Sequence, residues 1–353
     1  VTRPDPLPAE LRARATRQEW LVDTRQLAEV GLSRQQVSKL CTRGVLTRVA
    51  YGVYDLIPED PDARTEDPSS ARDDPLDHRR RRSAWLGMLT HGPDAVAVGQ
   101  TALVLHGIQG LPKRPKVEIA RADRRERRAR DGVALRRYSG LDRLARVQGR
   151  LVVPVEQALA QAVPELGRRH AVACLDSAVH QRLISAEGVR RAHDAARGRR
   201  GVERTHSWWD LVDGRAESPA ETWARLSCVD EGIPPDVLQQ KFVVERDRIA
   251  RVDMAWWLGP GRWLIAEIDG AKAHEGALVR DSQRQNPLVG AGNVIQRFTG
   301  LDAGSSTIGP SLKPLLAAAG WRPGRPVPRG PQLLPDVGGY RLSPKLAGIG
   351  DKL

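Results

Sequence analysis

Three apolar stretches in quick succession, residues 240–244, 248–256 and 263–268, constrain this chain more than any other feature. Only Glu245-Arg246-Asp247 and Leu258-Gly259-Pro260-Gly261-Arg262 separate them, and both separators have turn composition. Alternating segments with such short connections predict a meander of three strands. Ahead of it, Ser218-Pro219 predicts a helix start, because serine caps the free N–H groups and proline suits the first turn. That helix carries Glu221, Arg225 and Leu226. A helix from about Leu278 and a strand over 294–298 complete an αβββαβ order.

The acidic residues of this segment fall in unusual places. Asp253 sits inside an apolar strand, where an unpaired carboxylate is costly. Glu267 and Asp269 end the next strand two residues apart, which points both to one face. If the hairpin pairs as read, the three carboxylates converge. Two carboxylates about 4 Å apart repel by on the order of 4 kcal/mol at an effective dielectric near 20, so three require protonation or a cation. Hard oxygen ligands suit Mg²⁺ or Mn²⁺, which can acidify a bound water and neutralise charge on a phosphodiester. Lys272 or His274, just past Asp269-Gly270, could steer that water as a base. The residues alone leave a second reading open, a strand end carrying solvated acids.

Residues 17–56 have a different signature. Thr24 is expected to cap a short helix with Leu27 and Val30 on its apolar side, ended by Gly31. Ser33 and Gln36 form a capping box for a second helix, 34–43, whose buried stripe is Val37, Leu40 and Cys41. The alternating stretch VLTRVAYGVYDL then predicts a hairpin around Tyr51-Gly52. This is the pattern of a winged helix-turn-helix. In that architecture the second helix reaches base edges, so Arg34, Gln35, Ser38, Lys39 and Arg43 are the expected DNA contacts, with Arg48 on the wing. A small three-helix module that binds protein, its polar face merely solvated, is the alternative.

Net charge sharpens the choice of partner. The chain carries +13, with 56 Lys and Arg against 43 Asp and Glu, which favours a polyanion. The excess lies in residues 79–216, whereas 58–78 is acidic and proline-rich and reads as a linker. Within the middle region, 99–107 reads as a short helix. Residues 117–119 and 133–135 read as strands, and 155–163 and 171–183 as helices. The basic run RADRRERRARDG and the stretch Arg197-Gly198-Arg199-Arg200-Gly201 stand out by charge alone. His106, His170, His180, His193 and His206 show no metal-ligand spacing. Three scattered cysteines argue against disulfides, and no apolar run approaches membrane-spanning length, so a cytoplasmic protein is expected.

Two resemblances add to this reading. The stretch GLSRQQVSKLCTRGVLTRVAYGVYDL resembles the N-terminal domain of AbiEi-type antitoxins, matching at Gly44, Leu46, Arg48, Val49, Gly52, Val53 and Tyr54. It implies promoter-type double-stranded DNA binding, repression of the protein's own operon and a nucleotidyltransferase toxin encoded nearby. The segments Arg251-Val252-Asp253, Ala266-Glu267-Ile268-Asp269-Gly270, His274, Arg280-Asp281 with Arg284, and Arg297-Phe298-Thr299 resemble the endonuclease-like domain related to very-short-patch repair endonucleases. That domain belongs to the PD-(D/E)xK superfamily. The resemblance implies Asp253 and Glu267 as metal ligands, Glu221 as a helix carboxylate near the metal, and Gln239 or Gln240 in a P-x-x-Q position. Arg280, Arg284 and Arg297 are available for phosphate. The superfamily lysine is replaced by Asp269, which leaves the base open.

The expected architecture is a multi-domain α+β protein. It has a winged helix-turn-helix (1–57), a linker (58–78), a basic α/β region (79–216), a restriction-endonuclease-like domain (217–320) and an irregular tail (321–353). The expected function is DNA binding with Mg²⁺-dependent endonuclease activity. The alternative is an AbiEi-type autoregulator with a non-catalytic nuclease fold.

Overall fold

The computed structural model describes residues 7–56, 76–121, 133–136, 143–244, 248–269 and 292–333. It is a mixed α/β structure with three sheets, and the chain divides into two compact units, Val1–Leu211 and Val212–Leu353. Lys272, His274, Arg280 and Arg284, with the acidic stretch up to residue 75 and most of the RADRRERRARDG run, lie outside the described residues.

The first unit opens with α1 (Ala9–Arg17), β1 (Leu21–Asp23), α2 (Thr24–Glu29), α3 (Arg34–Thr42), β2 (Leu46–Ala50) and β3 (Val53–Leu56). The three strands pair antiparallel in the order β1-β3-β2. Leu11, Ala15, Val22, Leu27, Val37, Leu40, Leu46 and Leu56 form their shared core. Capping differs from expectation at one helix. Asp23, not Thr24, caps α2, with a reciprocal box to Gln26, because the aspartate closes β1 with extended backbone and its carboxylate reaches the Gln26 N–H at 2.8 Å. At α3 the Ser33–Gln36 box forms as read.

Helix α4 (Asp77–His91) begins inside the stretch read as linker, since Asp77 and His78 already belong to it. Its arginines are tied to the preceding fold and to the following chain. Arg81 and His78 both bond Glu19, and Arg82 bonds the Glu19 carbonyl at 2.8 Å and Asp55 at 2.9 Å. Arg80 donates to the Pro112 and Leu111 carbonyls at 3.0 and 2.7 Å. Between these polar ties, Trp85 and Leu89 pack on Leu21 and Val53.

A five-stranded mixed sheet follows, built from β4 (Ala95–Ala97), β5 (Glu118–Arg121), β6 (Ala134–Leu135), β7 (Ala145–Val147) and β8 (Arg150–Val152), in the order β6-β5-β4-β8-β7. Helices α5 (Gly99–Leu105), α6 (Val155–Ala162), α7 (Arg168–His180), α8 (Ala186–Ala196) and the short α9 (His206–Trp209) complete the unit.

In the second unit, α10 (Pro219–Asp230) precedes β9 (Val237–Val244), β10 (Arg248–Gly259) and β11 (Arg262–Asp269). Ser218 caps α10 and Pro219 stands in its first turn. Beyond residue 291, β12 (Val294–Thr299) runs parallel to β11, and α11 (Gly300–Ser305) and α12 (Ile308–Ala318) follow. The tail, read as irregular, contributes β13 (Gln332–Leu333), which adds parallel to β9 and makes the order β12-β11-β10-β9-β13. One side of this sheet carries Met254, Trp256, Leu264 and Ala266 beneath α10, α11 and α12. The other side carries Phe242, Ala250, Val252, Ala255, Trp263 and Ile265.

The alternation breaks once. Ala250 and Val252 share a face with Ala255, whereas Met254 and Trp256 lie opposite, so β10 inverts its phase around Asp253. Strand β9 inverts at the facing position, with Phe242 on one side and Leu238 on the other. Pairing is continuous on both sides of this point, from Val252↔Gln240 to Met254↔Leu238. Gln239 takes a left-handed backbone, φ 54°, and that turn of the peptide re-aims the side chains without changing register.

Candidate functional site

Two places gather the side chains singled out by sequence. The first is the outer surface of α3 and the β2–β3 hairpin. Val37 and Leu40 face the core, which leaves Arg34, Gln35, Ser38, Lys39 and Arg43 exposed, and Arg48 is exposed on β2. From Gly31 to Tyr54 the sequence contains no Asp or Glu. Arg34, Lys39, Arg43 and Arg48 make no ion pair among the described residues. Arg48 lies over the Tyr51 ring at 5.6 Å, and Tyr51 is 63% exposed at the hairpin tip. This is a surface of uncompensated cations with an aromatic beside them, suited to phosphates.

Much of the basic excess elsewhere in this unit is compensated internally. Besides the α4 arginines, Arg136 bonds Glu118 and Glu165, Arg191 bonds Glu156, and Arg204 bonds the Pro164 and Leu166 carbonyls. The histidines hold structure. His106 and His170 bond the Val153 and Gly110 carbonyls, and His193 bonds His206 at 2.7 Å while stacking on Trp209.

The second place lies in the other unit, around the inversion at Gln239 and Asp253. Glu221 comes from the first turn of α10. Its Oε2 accepts from the Glu217 N–H at 2.9 Å and from Gln239 Nε2 at 3.0 Å, and its Oε1 accepts from Ser218 Oγ at 2.8 Å. Burial pushes the Glu221 carboxyl up to about 7, and the Asp253 carboxylate adds to the rise against the opposing hydrogen bonds. Asp253 Oδ2 accepts from the Ile268 N–H at 2.8 Å, so its side chain takes a backbone donor on β11 just past the Met254↔Ala266 pair. Arg251 grips Glu217 with both terminal nitrogens, at 2.6 and 2.9 Å. Of the two glutamines considered, Gln239 meets Glu221, whereas Gln240 bonds the Lys241 and Gly330 carbonyls.

Glu267 and Asp269 behave differently. On β11 they are in phase with Trp263 and Ile265, the side away from α10. Arg297 lies in register with Glu267 across β12, bonds Asp269 at 2.7 Å and approaches Glu267 at 3.9 Å. Glu267 itself is 7% exposed. Continuing the Met254↔Ala266 register places Asp253 opposite Glu267, and the Asp253 carboxylate meets the backbone N–H of Ile268 beside it. Among the described residues, no three His, Cys, Asp or Glu side chains form a group able to hold a metal ion. The structure thus brings Glu221 together with Gln239 and near Asp253, and Arg297 together with Asp269 and Glu267.

The donor set at Glu221 and Asp253 fits a cation of modest demands. Two hard carboxylates with water completing the shell suffice for Mg²⁺. The Glu221 carboxyl is raised first by burial, and the Asp253 charge adds a smaller share. Sequence reasoning missed Ser218 and Glu217 as partners of Glu221; an acid three residues after a capping serine was the available signal.

No helix among the described residues is long and apolar enough to cross a membrane. No protein-family model matches the chain. The uncharacterized protein Rv2248 of Mycobacterium tuberculosis strain H37Rv is 31% identical over 262 residues, covering 72% of this chain and 85% of its own length. The uncharacterized protein MT2308 of strain CDC 1551 gives the same identity and coverage. At that identity and coverage, this chain belongs to the family that these two mycobacterial proteins represent.

Proposed function

We propose that this protein binds double-stranded DNA through a winged helix-turn-helix in its first unit and hydrolyses phosphodiesters with a PD-(D/E)xK-like second unit. The observation that carries the catalytic part is Glu221, a buried carboxyl pushed up to about 7 beside the ionisable Asp253 at the inverted strand. A group half-protonated near neutrality can take a proton from water and return it to a leaving oxygen. Gln239 and Ser218 orient it, and Arg251 holds the preceding loop through Glu217. Mg²⁺ held at Asp253 would supply an acidified water and neutralise charge on the scissile phosphate. By resemblance Glu267 would be the second ligand. The DNA-binding part rests on the acid-free face of Arg34, Lys39, Arg43 and Arg48.

The test is nicking of supercoiled plasmid with Mg²⁺ or Mn²⁺. Wild type should nick, and Asp253→Ala and Glu221→Gln should lose about 100-fold or more, within the range of one acid–base group. Absence of nicking by wild type, or equal nicking by Asp253→Ala, rejects the catalytic part. The second reading is an AbiEi-type autoregulator with a non-catalytic nuclease fold, partnered by a nucleotidyltransferase toxin where such a gene adjoins. The Arg297–Asp269 pair and the missing three-acid group among the described residues favour it. It expects preference for the protein's own upstream DNA over random duplex in a gel shift, with no cleavage.

A further inference from the structure

The arginine–glycine stretch at 197–201 lies apart from both places described above. Gly198 and Gly201 both take left-handed backbone, with φ of 75° and 87°, and hold Arg199 and Arg200 between them in a tight turn. The turn is seated closely. A Cβ on Gly201 would stand 2.7 Å from the Pro164 carbonyl oxygen, and Arg204 ties the same wall through the Pro164 and Leu166 carbonyls at 3.1 and 3.2 Å. Its arginines line a cleft of about 380 Å³ together with Arg136, Gln161, Pro164 and Glu165.

Charge in the cleft is unevenly matched. Glu165 is already held by Lys116 at 2.8 Å and Arg136 at 2.7 Å, and Arg136 is engaged as well with Glu118 at 2.8 Å. Arg200 makes no ion pair among the described residues. Gln161 is 3% exposed, and its Oε1 accepts from the Gly99 N–H at 2.8 Å, which fixes the amide. Its Nε2 then has no partner among the described residues, and a buried donor left unpaired costs about 1–3 kcal/mol. An anion with several oxygens answers Arg200 and the idle amide together. At about 30 Å³ per water, the cleft has room for a phosphate group and the sugar it is attached to.

We propose that this cleft binds a phosphate group, held by Arg199, Arg200 and the Gln161 amide. The group belongs either to free phosphate or to a nucleic-acid backbone, and the experiment separates these sources. Full-length protein, Arg199→Gln/Arg200→Gln and the charge-matched control Arg182→Gln/Arg190→Gln are compared. The probes are inorganic phosphate, by calorimetry, and a random-sequence duplex, by anisotropy across a salt series. Arg200, Arg182 and Arg190 are exposed and Arg199 is half-buried, so thermal melts of both double variants are recorded to separate lost binding from lost folding. Phosphate binding that weakens about tenfold in Arg199→Gln/Arg200→Gln, and not in the control, supports a free-phosphate site. Duplex binding that alone weakens, with a salt slope reduced by roughly one, supports the backbone source. Unchanged binding of both probes, or equal loss in the control, overturns the proposal. No cleavage is read, so the result is independent of the nuclease reading.

Discussion

Glu221 shows how one side chain can link pH to both stability and chemistry. Its folded-state pKa lies above the ordinary carboxylate value, at about 7 against 4.5. The stability it contributes is therefore complete below about pH 4.5 and is lost as pH rises towards 7. Glu221→Gln removes the titration. Relative to wild type, the variant should gain on the order of 3 kcal/mol between pH 4.5 and pH 8, read from urea unfolding at both values. A gain that is the same at both pH values would show that Glu221 titrates normally. Mg²⁺ at this place should restore part of the wild-type stability at pH 8 and leave Asp253→Asn unaffected. The Arg297–Asp269 pair, by contrast, is solvent-exposed, so Arg297→Gln should shift stability by under about 1 kcal/mol.

At the scale of elements, the packing of α12 on α10 sets where Glu221 stands. Gly309 lies so close to α10 that a Cβ would meet the Ser227 carbonyl oxygen at 2.3 Å. Its N–H donates to Ser227 Oγ at 2.9 Å, and that hydroxyl bonds the Ser306 carbonyl at 3.0 Å. Gly309→Ala should push the helices apart and cost about 1–3 kcal/mol, measured by thermal or urea unfolding. Nicking, where present, should fall with it. Elements such as α3, β2–β3, α10 and the β9–β11 meander were legible because caps, turn residues and alternation agree there. Helices α1, α4, α8 and α12 were not. In α4 arginines occupy inward positions against Glu19, Asp55 and the Pro112 carbonyl, so charge hides the apolar side formed by Trp85 and Leu89. The acid-lined site was legible in its residue types, whereas the turn of the peptide at Gln239 was not, because a positive φ carries no compositional sign.

At the scale of the whole molecule, the two compact units suggest independent folding. Residues 1–211 and 212–353, expressed separately, should each unfold cooperatively, with melting midpoints near those seen in the full chain. The first piece should retain the DNA affinity. Its Arg34→Ala/Lys39→Ala variant should bind duplex more weakly, with a salt slope lower by roughly two. Retention of full affinity by that variant would move the contact surface elsewhere. Arg80, Arg81, Arg82, Arg136 and Arg204 are bonded internally, so they add little to the surface that a polyanion would meet.

The inversion at Gln239 and Asp253 also leaves a trace that needs no purified protein. In an unbroken strand, tolerance of polar substitutions alternates with one parity from end to end. Along β10 the intolerant positions should run 250, 252, then 254, 255 and 256, a stutter in which neighbouring residues are equally sensitive because both sides of the sheet are covered. A selection scoring every substitution from 248 to 258 would display it as alternating sensitivity up to Asp253 and unbroken sensitivity over 254–256.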